Sequence, residues 1–238
     1  MSALAAYTTT REEESKMTRI QVAQPLLRPG LCTLSALWWK RPLDLVLGTI
    51  ALVVGLPLIL LLALAIVLES PGNPFFGQER VGYEGRRFRI WKLRTMHAGC
   101  DQSVHQRTAA RWFKGRPTGD RYKTLADPRI TRIGSVLRRT NLDELPQFLN
   151  VVMGDMSLVG PRPAIPYELA HYRPAYFHRL SVPPGMTGLW QVTRRDRVSA
   201  AEMMQLDLRY VREASPWLDL KVLAMTAPAL LASAARGI

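Results

Sequence analysis

One uninterrupted apolar run dominates the pattern of hydrophobic and polar positions along the chain. It covers Leu43–Leu68, and after Asp44 no charged side chain occurs before Glu69. A helix needs about 20 apolar residues to cross the hydrocarbon core of a bilayer, so the run is long enough for a membrane helix. A buried core helix of a soluble protein is disfavoured, because the run has no polar face along its length.

Two features of this run predict a re-entrant hairpin rather than a straight span. Gly55 and Pro57 lie in its middle, and a proline inside a helix removes a backbone hydrogen bond and kinks the helix axis. Basic residues flank both ends, whereas a straight span would place one basic cluster on the far side of the membrane. These residues are Lys40, Arg41, Arg80, Arg86, Arg87, Arg89, Lys92 and Arg94. The sequence therefore predicts a membrane helix that breaks at Gly55–Pro57, with Pro57 at the kink, and returns to the side from which it entered.

The pattern after the apolar run predicts a compact, mostly helical domain with one small β-hairpin. The predicted strands are Phe75–Val81 and Phe88–Leu93. Between them, Gly82-Tyr83-Glu84-Gly85 is typical of a hairpin turn. Apolar residues then recur at intervals of three and four, which predicts further helices. These helices begin near Ile130 and Leu145 and cover Ala200–Val211.

The two ends of the chain differ from this domain. Residues 1–36 are polar and show no periodicity, which predicts a disordered tail. Trp217–Ala235 is apolar but interrupted by Asp219 and Pro228, which predicts an amphipathic helix on the protein or membrane surface. The predicted fold class is α/β, mostly helical, with a re-entrant membrane helix hairpin and a compact cytoplasmic catalytic domain. Its segments are a tail (1–36), the hairpin (37–69), the catalytic domain (70–215) and the C-terminal helix (216–238).

The charge of the chain narrows its partners. The 32 Lys and Arg residues outnumber the 19 Asp and Glu residues, and the formal net charge is +13. Such a charge attracts nucleic acid, anionic lipid or phosphate-rich substrates. Nucleic acid is disfavoured, because no helix-turn-helix or RNA-binding signature occurs. Cys32 and Cys100 form neither a CxxC motif nor a Cys/His pattern, so neither a zinc site nor a disulfide framework is predicted.

An acidic pair is the most distinctive local feature of the sequence. Asp143 and Glu144 precede Pro146, and a helix accepts proline only in its first turn, so a helix is predicted to begin near Asn141–Asp143. Helix capping by Asp143, with Glu144 as a first-turn acid, would explain the pair structurally. Alternatively, the carboxylates act as a nucleophile and a metal ligand, with cations to neutralise a phosphoryl group. The spacing alone leaves both interpretations open.

Basic residues in ordered positions are candidates for phosphate binding. Arg162 lies between Pro161 and Pro163, and a rigid backbone lowers the entropy lost when a guanidinium binds a phosphate. A surface turn with an incidental arginine explains this segment equally well. Lys92 and Arg94 lie on one face of the second predicted strand. That face is open to three interpretations: it is solvated, it contacts lipid headgroups, or it lines a phosphate site.

The acidic pair also belongs to a segment far more specific than a short motif. Leu142–Pro163 reads LDELPQFLNVVMGDMSLVGPRP. Other distinctive segments are Lys40-Arg41 with Asp44, Pro57, Phe76–Gly82, Phe88–Met96, Asp127–Arg129 and Pro184–Val192. From Lys40 onward the chain resembles the bacterial sugar transferases, which are monotopic polyprenyl-phosphate phosphosugar transferases. This resemblance favours a catalytic role of Asp143 and Glu144 over simple helix capping.

The resemblance implies a role for each matching residue. Asp143 would be the nucleophile that forms a covalent aspartyl phosphosugar while UMP leaves. Glu144 would position Mg²⁺ or orient Asp143, so both carboxylates are candidate metal ligands. Lys92, Arg138 and Arg162 would lie near the phosphates. The phosphosugar would then pass to a polyprenyl phosphate, expected to be undecaprenyl phosphate, and so initiate polysaccharide or glycoconjugate assembly.

The resemblance also implies a donor, partners and a location. A UDP-sugar is the expected donor. The motif Leu189-Trp190-Gln191-Val192 resembles members that use UDP-glucose or UDP-galactose. The catalytic domain would face the cytoplasm at the bacterial inner membrane. The membrane is a partner, nucleic acid is not, and a homodimer is left open.

One departure from the family pattern motivates an alternative. Gln191 and Arg195 are expected in a nucleotide or sugar loop. The family commonly has a Gly-Arg pair there, whereas in this chain Thr193 is followed by Arg194 and Arg195. Replacing glycine by Arg194 removes backbone freedom beside this loop. The alternative is therefore a catalytically inactive membrane-surface scaffold of the same fold.

Overall fold

Helices dominate the computed structural model, which describes residues 37–97, 112–113, 127–193 and 198–235. The α-helices are α1 (Lys40–Glu69), α2 (Arg132–Thr140), α3 (Gln147–Met153), α4 (Leu189–Thr193), α5 (Ala200–Glu213) and α6 (Pro216–Ala235). The strands are β1 (Phe75–Val81), β2 (Arg87–Leu93), β3 (Ser157–Val159) and β4 (Gly185–Thr187). Short 3₁₀ helices cover Tyr83–Gly85, Leu142–Glu144, Pro166–His171 and Pro174–Ser181. The predicted class, mostly helical with a small β-hairpin, is confirmed, while the predicted tail over residues 1–36 lies outside the described residues.

Two small sheets occur in the described part of the chain. β1 and β2 pair antiparallel, with Phe75 opposite Leu93 and Val81 opposite Arg87, which confirms the predicted hairpin. β3 and β4 pair in parallel. The pattern did not predict this second sheet, because each of its strands has only three residues and alternation cannot be recognised over so short a run.

The predicted helices are confirmed, but the start of α3 differs from the prediction. Asn141 has φ 58° and ψ 19°, a left-handed conformation that ends α2. Leu142–Glu144 then forms a 3₁₀ turn, and α3 begins only at Gln147, after Pro146. Asp143 is therefore not the cap of an α-helix, and the prediction of a helix start at Asn141–Asp143 was wrong by one turn.

α1 packs one stripe of side chains on the domain and exposes the rest. The buried residues of the stripe are Lys40, Asp44, Gly48, Ile59, Ala63 and Ile66. Large apolar side chains on the other faces are exposed, including Val54 at 74% and Leu68 at 77%. Among the described residues, α1 is the one helix long and apolar enough to cross a membrane. It stays helical through Pro57, so the helix break predicted at Gly55–Pro57 is not seen.

Buried charges bond the first turns of α1 to the domain. Lys40 Nζ lies 2.6 Å from Asp219 Oδ2 of α6, and both side chains are at most 3% exposed. Tyr210 donates its hydroxyl hydrogen to the other oxygen of Asp219 at 2.7 Å. Asp44 accepts a hydrogen bond from the backbone N–H of Leu158 at 2.9 Å. The N-terminal end of α1 is thus joined to α5, α6 and β3.

Hydrogen bonds to helix ends extend this attachment to both ends of α1. Arg41 donates to two carbonyls in the last turn of α3, at 2.7 and 2.8 Å. Glu69 accepts from the first two backbone N–H groups of α2, at 2.7 and 3.0 Å. Arg94 donates to the carbonyls of Ser70 and Pro71, directly after α1. These partners satisfy backbone groups that a helix cannot pair internally, and they attach both ends of α1 to one domain.

α6 confirms that the C-terminal segment is helical, and it directs Asp219 into the core. Asp219 and Val222 are buried, whereas Trp217 and Leu220 are 75% and 56% exposed. Thr226 Oγ1 lies 2.9 Å from the hydroxyl of Thr187 at the end of β4. The helix therefore contributes to the core and leaves apolar side chains on the surface.

Removing the charge of Lys40 should destabilise the fold. Lys40→Met leaves the Asp219 carboxylate buried without its counter-charge, and we expect the free energy of unfolding to fall by about 3 kcal/mol. Thermal unfolding in detergent micelles measures this loss. Lys40→Met combined with Asp219→Asn removes both charges and should recover most of the stability. Lys221→Met, at an exposed position of α6, is the matched control, and an equal effect of Lys40→Met and Lys221→Met would contradict the assignment.

Candidate active site

The acidic pair lies on the 3₁₀ turn that joins α2 to α3. The left-handed conformation of Asn141 reverses the chain after α2, and asparagine tolerates this conformation better than most residues. Asp143 is only 6% exposed, whereas the Glu144 side chain is 25% exposed. The neighbouring carboxylates therefore have different surroundings, one buried and one partly open to solvent.

The second strand of the hairpin supplies a cation to this site. Lys92 Nζ donates to Glu144 Oε1 at 2.7 Å, and the lysine side chain is 21% exposed. This contact places Lys92 beside the acidic pair. That the Lys92 face of the strand lines a phosphate site stays a prediction. Because the ion pair is partly open to solvent, a phosphate that enters the site can reach the ammonium.

α2 supplies a second cation, beside the buried carboxylate. Arg138 Nε donates to Thr95 Oγ1 at 2.9 Å. Burial lowers the pKa of Arg138, while the negative charges of Asp143 and Asp127 act to raise it. A guanidinium stays charged at neutral pH even when its pKa is lowered. The structure thus brings four predicted site residues, from α2, β2 and the 3₁₀ turn, into one place.

Arg162 has a different carboxylate partner. Its Nη1 atom lies 3.2 Å from Oε1 of Glu168, which is completely buried. Arg179 donates to the backbone carbonyl of Arg162 at 2.6 Å, and Arg80 donates to the carbonyl of Pro163 at 3.0 Å. The segment between the two prolines is therefore fixed by side chains from three other parts of the chain.

This second cluster holds charges that sequence reasoning missed. Burial acts to raise the pKa of Glu168, but the charges of Arg162 and Arg80 hold it below its ordinary value. Arg179 also pairs with Asp207 of α5, and burial raises the pKa of Asp207 to about 6 although Arg179 acts to lower it. The sequence could have revealed Asp207, because this acidic residue occupies a position on the apolar face of α5. Glu168 and Arg179 lie on 3₁₀ helices, whose pattern gives no such signal.

Gln191, a further predicted site residue, lies on α4, shortly after β4. Gln191 donates from Nε2 to the carbonyl of Met186 at 2.9 Å and so stabilises the connection between β4 and α4. The Gly160 and Gly185 backbones approach so closely that a side chain at either position would collide with the other. Arg194 and Arg195 lie outside the described residues, so their predicted part in this loop stays a prediction.

The carboxylates at the turn suit a magnesium ion shared with a substrate. Mg²⁺ prefers oxygen ligands and is commonly bound by one or two carboxylates together with substrate phosphates. Asp143 and Glu144 provide such oxygens. Within the part of the chain that the structure describes, no group of three or more His, Cys, Asp or Glu side chains could hold a metal ion. A phosphate of the substrate would supply further oxygen ligands beside the acidic pair.

Glu168 should make stability depend on pH on the acidic side. Its pKa in the folded protein is lowered from 4.5, so its contribution is complete above that value and is lost as pH falls through the lower pKa. Glu168→Gln should lower the unfolding temperature near neutral pH and flatten its decrease below pH 4.5. Glu213→Gln, an exposed glutamate of α5, serves as the control. A variant that follows the wild-type pH curve would contradict this role of Glu168.

Comparison with known proteins assigns the family. A family model described as bacterial sugar transferase matches residues 35–233. The chain is 41% identical over 218 residues to the UDP-glucose:undecaprenyl-phosphate glucose-1-phosphate transferase of Caulobacter vibrioides. This match covers 86% of the present chain and 75% of that protein. The chain is 39% identical over 199 residues to the exopolysaccharide production protein ExoY of Sinorhizobium fredii, which covers 82% and 86% of the two chains.

A third relative is considerably longer than this chain. The match to an uncharacterized sugar transferase of Haemophilus influenzae has 38% identity over 203 residues and covers 83% of this chain but 42% of that protein. Each match spans most of the present chain and therefore includes both the apolar helix and the domain with the acidic pair. The resemblance inferred from the motifs is confirmed, and the chain belongs to the bacterial sugar transferase family.

Proposed function

We propose that this chain transfers a sugar-1-phosphate from a UDP-sugar to a polyprenyl phosphate at the membrane, through a covalent aspartyl phosphosugar. The observation that carries the proposal is the buried Asp143 beside Arg138 and the Lys92–Glu144 ion pair. The names of two relatives support it, a UDP-glucose:undecaprenyl-phosphate glucose-1-phosphate transferase and an undecaprenyl-phosphate galactose phosphotransferase. The product would initiate polysaccharide or glycoconjugate assembly.

The reaction consists of two displacements at the same phosphorus. In the first, a carboxylate oxygen of Asp143 attacks the phosphorus that carries the sugar, the P–O bond to UMP breaks, and UMP leaves with the bonding electrons. In the second, a phosphate oxygen of the polyprenyl phosphate attacks that phosphorus, the P–O bond to Asp143 breaks, and the carboxylate leaves with the bonding electrons. Each step is a single phosphoryl transfer, in which positioning and charge neutralisation provide most of the catalysis.

The surrounding residues supply that positioning and charge. The Arg138 guanidinium beside Asp143 favours the ionised carboxylate, which is the form able to attack. Lys92 orients Glu144 and offers its ammonium to an incoming phosphate. Arg162, whose orientation Glu168 sets, binds a phosphate of the donor or acceptor. Asp143 and Glu144 would hold Mg²⁺, which would supply positive charge to neutralise the phosphate oxygens.

The attachment of α1 supports a re-entrant membrane topology. A straight helix of 30 residues is about 45 Å long, enough to place its ends on opposite sides of a bilayer. In this chain both ends bond to one polar domain, through Arg41 at the start and Glu69 at the end. We therefore propose that α1 enters one leaflet and bends near the exposed Pro57. The basic residues at both ends favour the cytoplasmic side of the inner membrane.

Asp143→Asn should abolish UMP release, because an amide cannot replace a carboxylate as the nucleophile. The assay uses purified protein in nanodiscs with Mg²⁺, undecaprenyl phosphate and a panel of UDP-sugars. Turnover should fall to about 1% of the wild-type value or less while the protein stays folded, since the side chains are isosteric. Glu79→Gln, an exposed carboxylate of β1, should retain full activity.

The same panel separates the proposed function from its alternative. Release with one UDP-sugar identifies the donor, and its loss in the variant assigns the nucleophile. Retained turnover in Asp143→Asn would refute the covalent mechanism. If folded wild-type protein releases UMP from none of the sugars, the result favours the inactive scaffold, and Arg194→Gly is the variant to test next.

Cysteine labelling tests the topology of α1. In a background with Cys32→Ser and Cys100→Ser, Trp38→Cys lies just before the helix and Asn73→Cys just after it, both exposed. A membrane-impermeant maleimide should label neither cysteine in intact spheroplasts and both after lysis. Val54→Cys, on the lipid-facing surface, should resist labelling throughout. Labelling of only one end in intact spheroplasts would show a straight span and contradict the proposal.

A further inference from the structure

A buried amide of α3 pairs with the free edge of β2. Asn150 is completely buried. Its Oδ1 atom accepts a hydrogen bond from the backbone N–H of Trp91 at 3.1 Å, and its Nδ2 atom donates to the carbonyl of Arg89 at 2.8 Å. Residues two apart in a strand direct these groups to the same edge, so the carboxamide acts as a short third strand on the side away from β1.

The orientation of this amide is fixed by a third partner. Asn150 Nδ2 also donates to Asp155 Oδ2 at 3.2 Å, and the backbone N–H of Asp155 donates to the carbonyl of Asn150 at 3.0 Å. Two acceptors therefore surround Nδ2 and one donor faces Oδ1. A flipped amide would bring oxygen against oxygen, so only one orientation satisfies all three partners.

The position of this contact in the chain links it to the acidic pair. Lys92 directly follows Trp91, which Asn150 binds, and Glu144 lies on the 3₁₀ turn just before α3, which carries Asn150. The register of β2 against α3 therefore determines whether the Lys92 ammonium reaches Glu144. We infer that Asn150 is a positioning residue for the Lys92–Glu144 pair. Its catalytic consequence rests on the proposed function, whereas its structural consequence does not.

A simpler role is also compatible with burial alone. Any buried backbone N–H and C=O requires hydrogen-bond partners, and Asn150 would supply them even if Lys92 did nothing. The two roles differ in one respect. If Asn150 positions the pair, its replacement disturbs the Lys92–Glu144 contact specifically. If its role is purely structural, its replacement lowers stability but leaves that contact intact.

The first test measures the Lys92 contact without any turnover. Asn150→Asp is isosteric but places an oxygen against the Arg89 carbonyl and the Asp155 carboxylate. Acetylation by an N-hydroxysuccinimide ester, measured by mass spectrometry against the exposed Lys221, should become about threefold faster or more at Lys92, as expected for the loss of one hydrogen bond. An unchanged rate would overturn the inference.

Matched variants keep this test decisive. Val151→Ala truncates the neighbouring residue of α3, which is equally buried, and should lower the unfolding temperature without changing the acetylation of Lys92. An equal increase in both variants would assign the effect to general destabilisation and overturn the inference.

If Asn150→Asp does not fold, Asp155→Ala replaces it. That variant removes one acceptor of the amide and should accelerate acetylation by about twofold, and an unchanged rate would again overturn the inference.

The second test uses a double-mutant cycle on turnover. Asn150→Asp should lower kcat by about tenfold in the wild-type background, comparable to one charge-assisted hydrogen bond. In a Lys92→Met background it should cause no further loss, because the contact it positions is already absent. Equal losses in both backgrounds would overturn the inference. If the wild-type protein releases no UMP, the proposed function fails, while the acetylation test still decides the role of Asn150.

Discussion

The structure depends on attaching a lipid-soluble helix to a polar domain. Hydrocarbon chains compete with apolar side chains for the surface of such a helix, so hydrophobic contact alone holds it weakly. Hydrocarbon cannot compete for hydrogen bonds, and such bonds occur at both ends of α1. Arg41 binds the last turn of α3, and Glu69 binds the first turn of α2. The acidic pair lies between these two helices, so the membrane attachment also supports the site.

Charge pairing organises the site at two depths. Near the surface, Lys92 and Glu144 stay partly hydrated, and an ion pair of this kind contributes little stability but can exchange partners with a ligand. In the interior, Arg179 and Asp207 are both 1% exposed, and such a pair fixes geometry because each charge is costly to leave alone. In both pairs a carboxylate holds a cation, Lys92 or Arg179, in a defined position.

Local pattern predicted most of the secondary structure, since periodicity and turn residues act within a few positions of the chain. The hairpin and helices α2, α3 and α5 followed from spacing, and long motifs identified the family and the acidic pair. The predicted start of α3 was wrong because Asn141 takes a left-handed conformation that separates two helical segments. The parallel pairing of β3 with β4 was missed because neither strand is long enough to show alternation.

The sequence by itself therefore determined the apolar helix, the family and the acidic pair Asp143 and Glu144. Only the tertiary structure decided their partners. Glu144 meets Lys92 across 52 positions, and Asn150 meets Trp91 across 59. Arg179 pairs with Asp207, which lies 28 positions away. Spacing carries no information at such separations, because packing of helices and strands, rather than local backbone preference, brings these groups within hydrogen-bond distance.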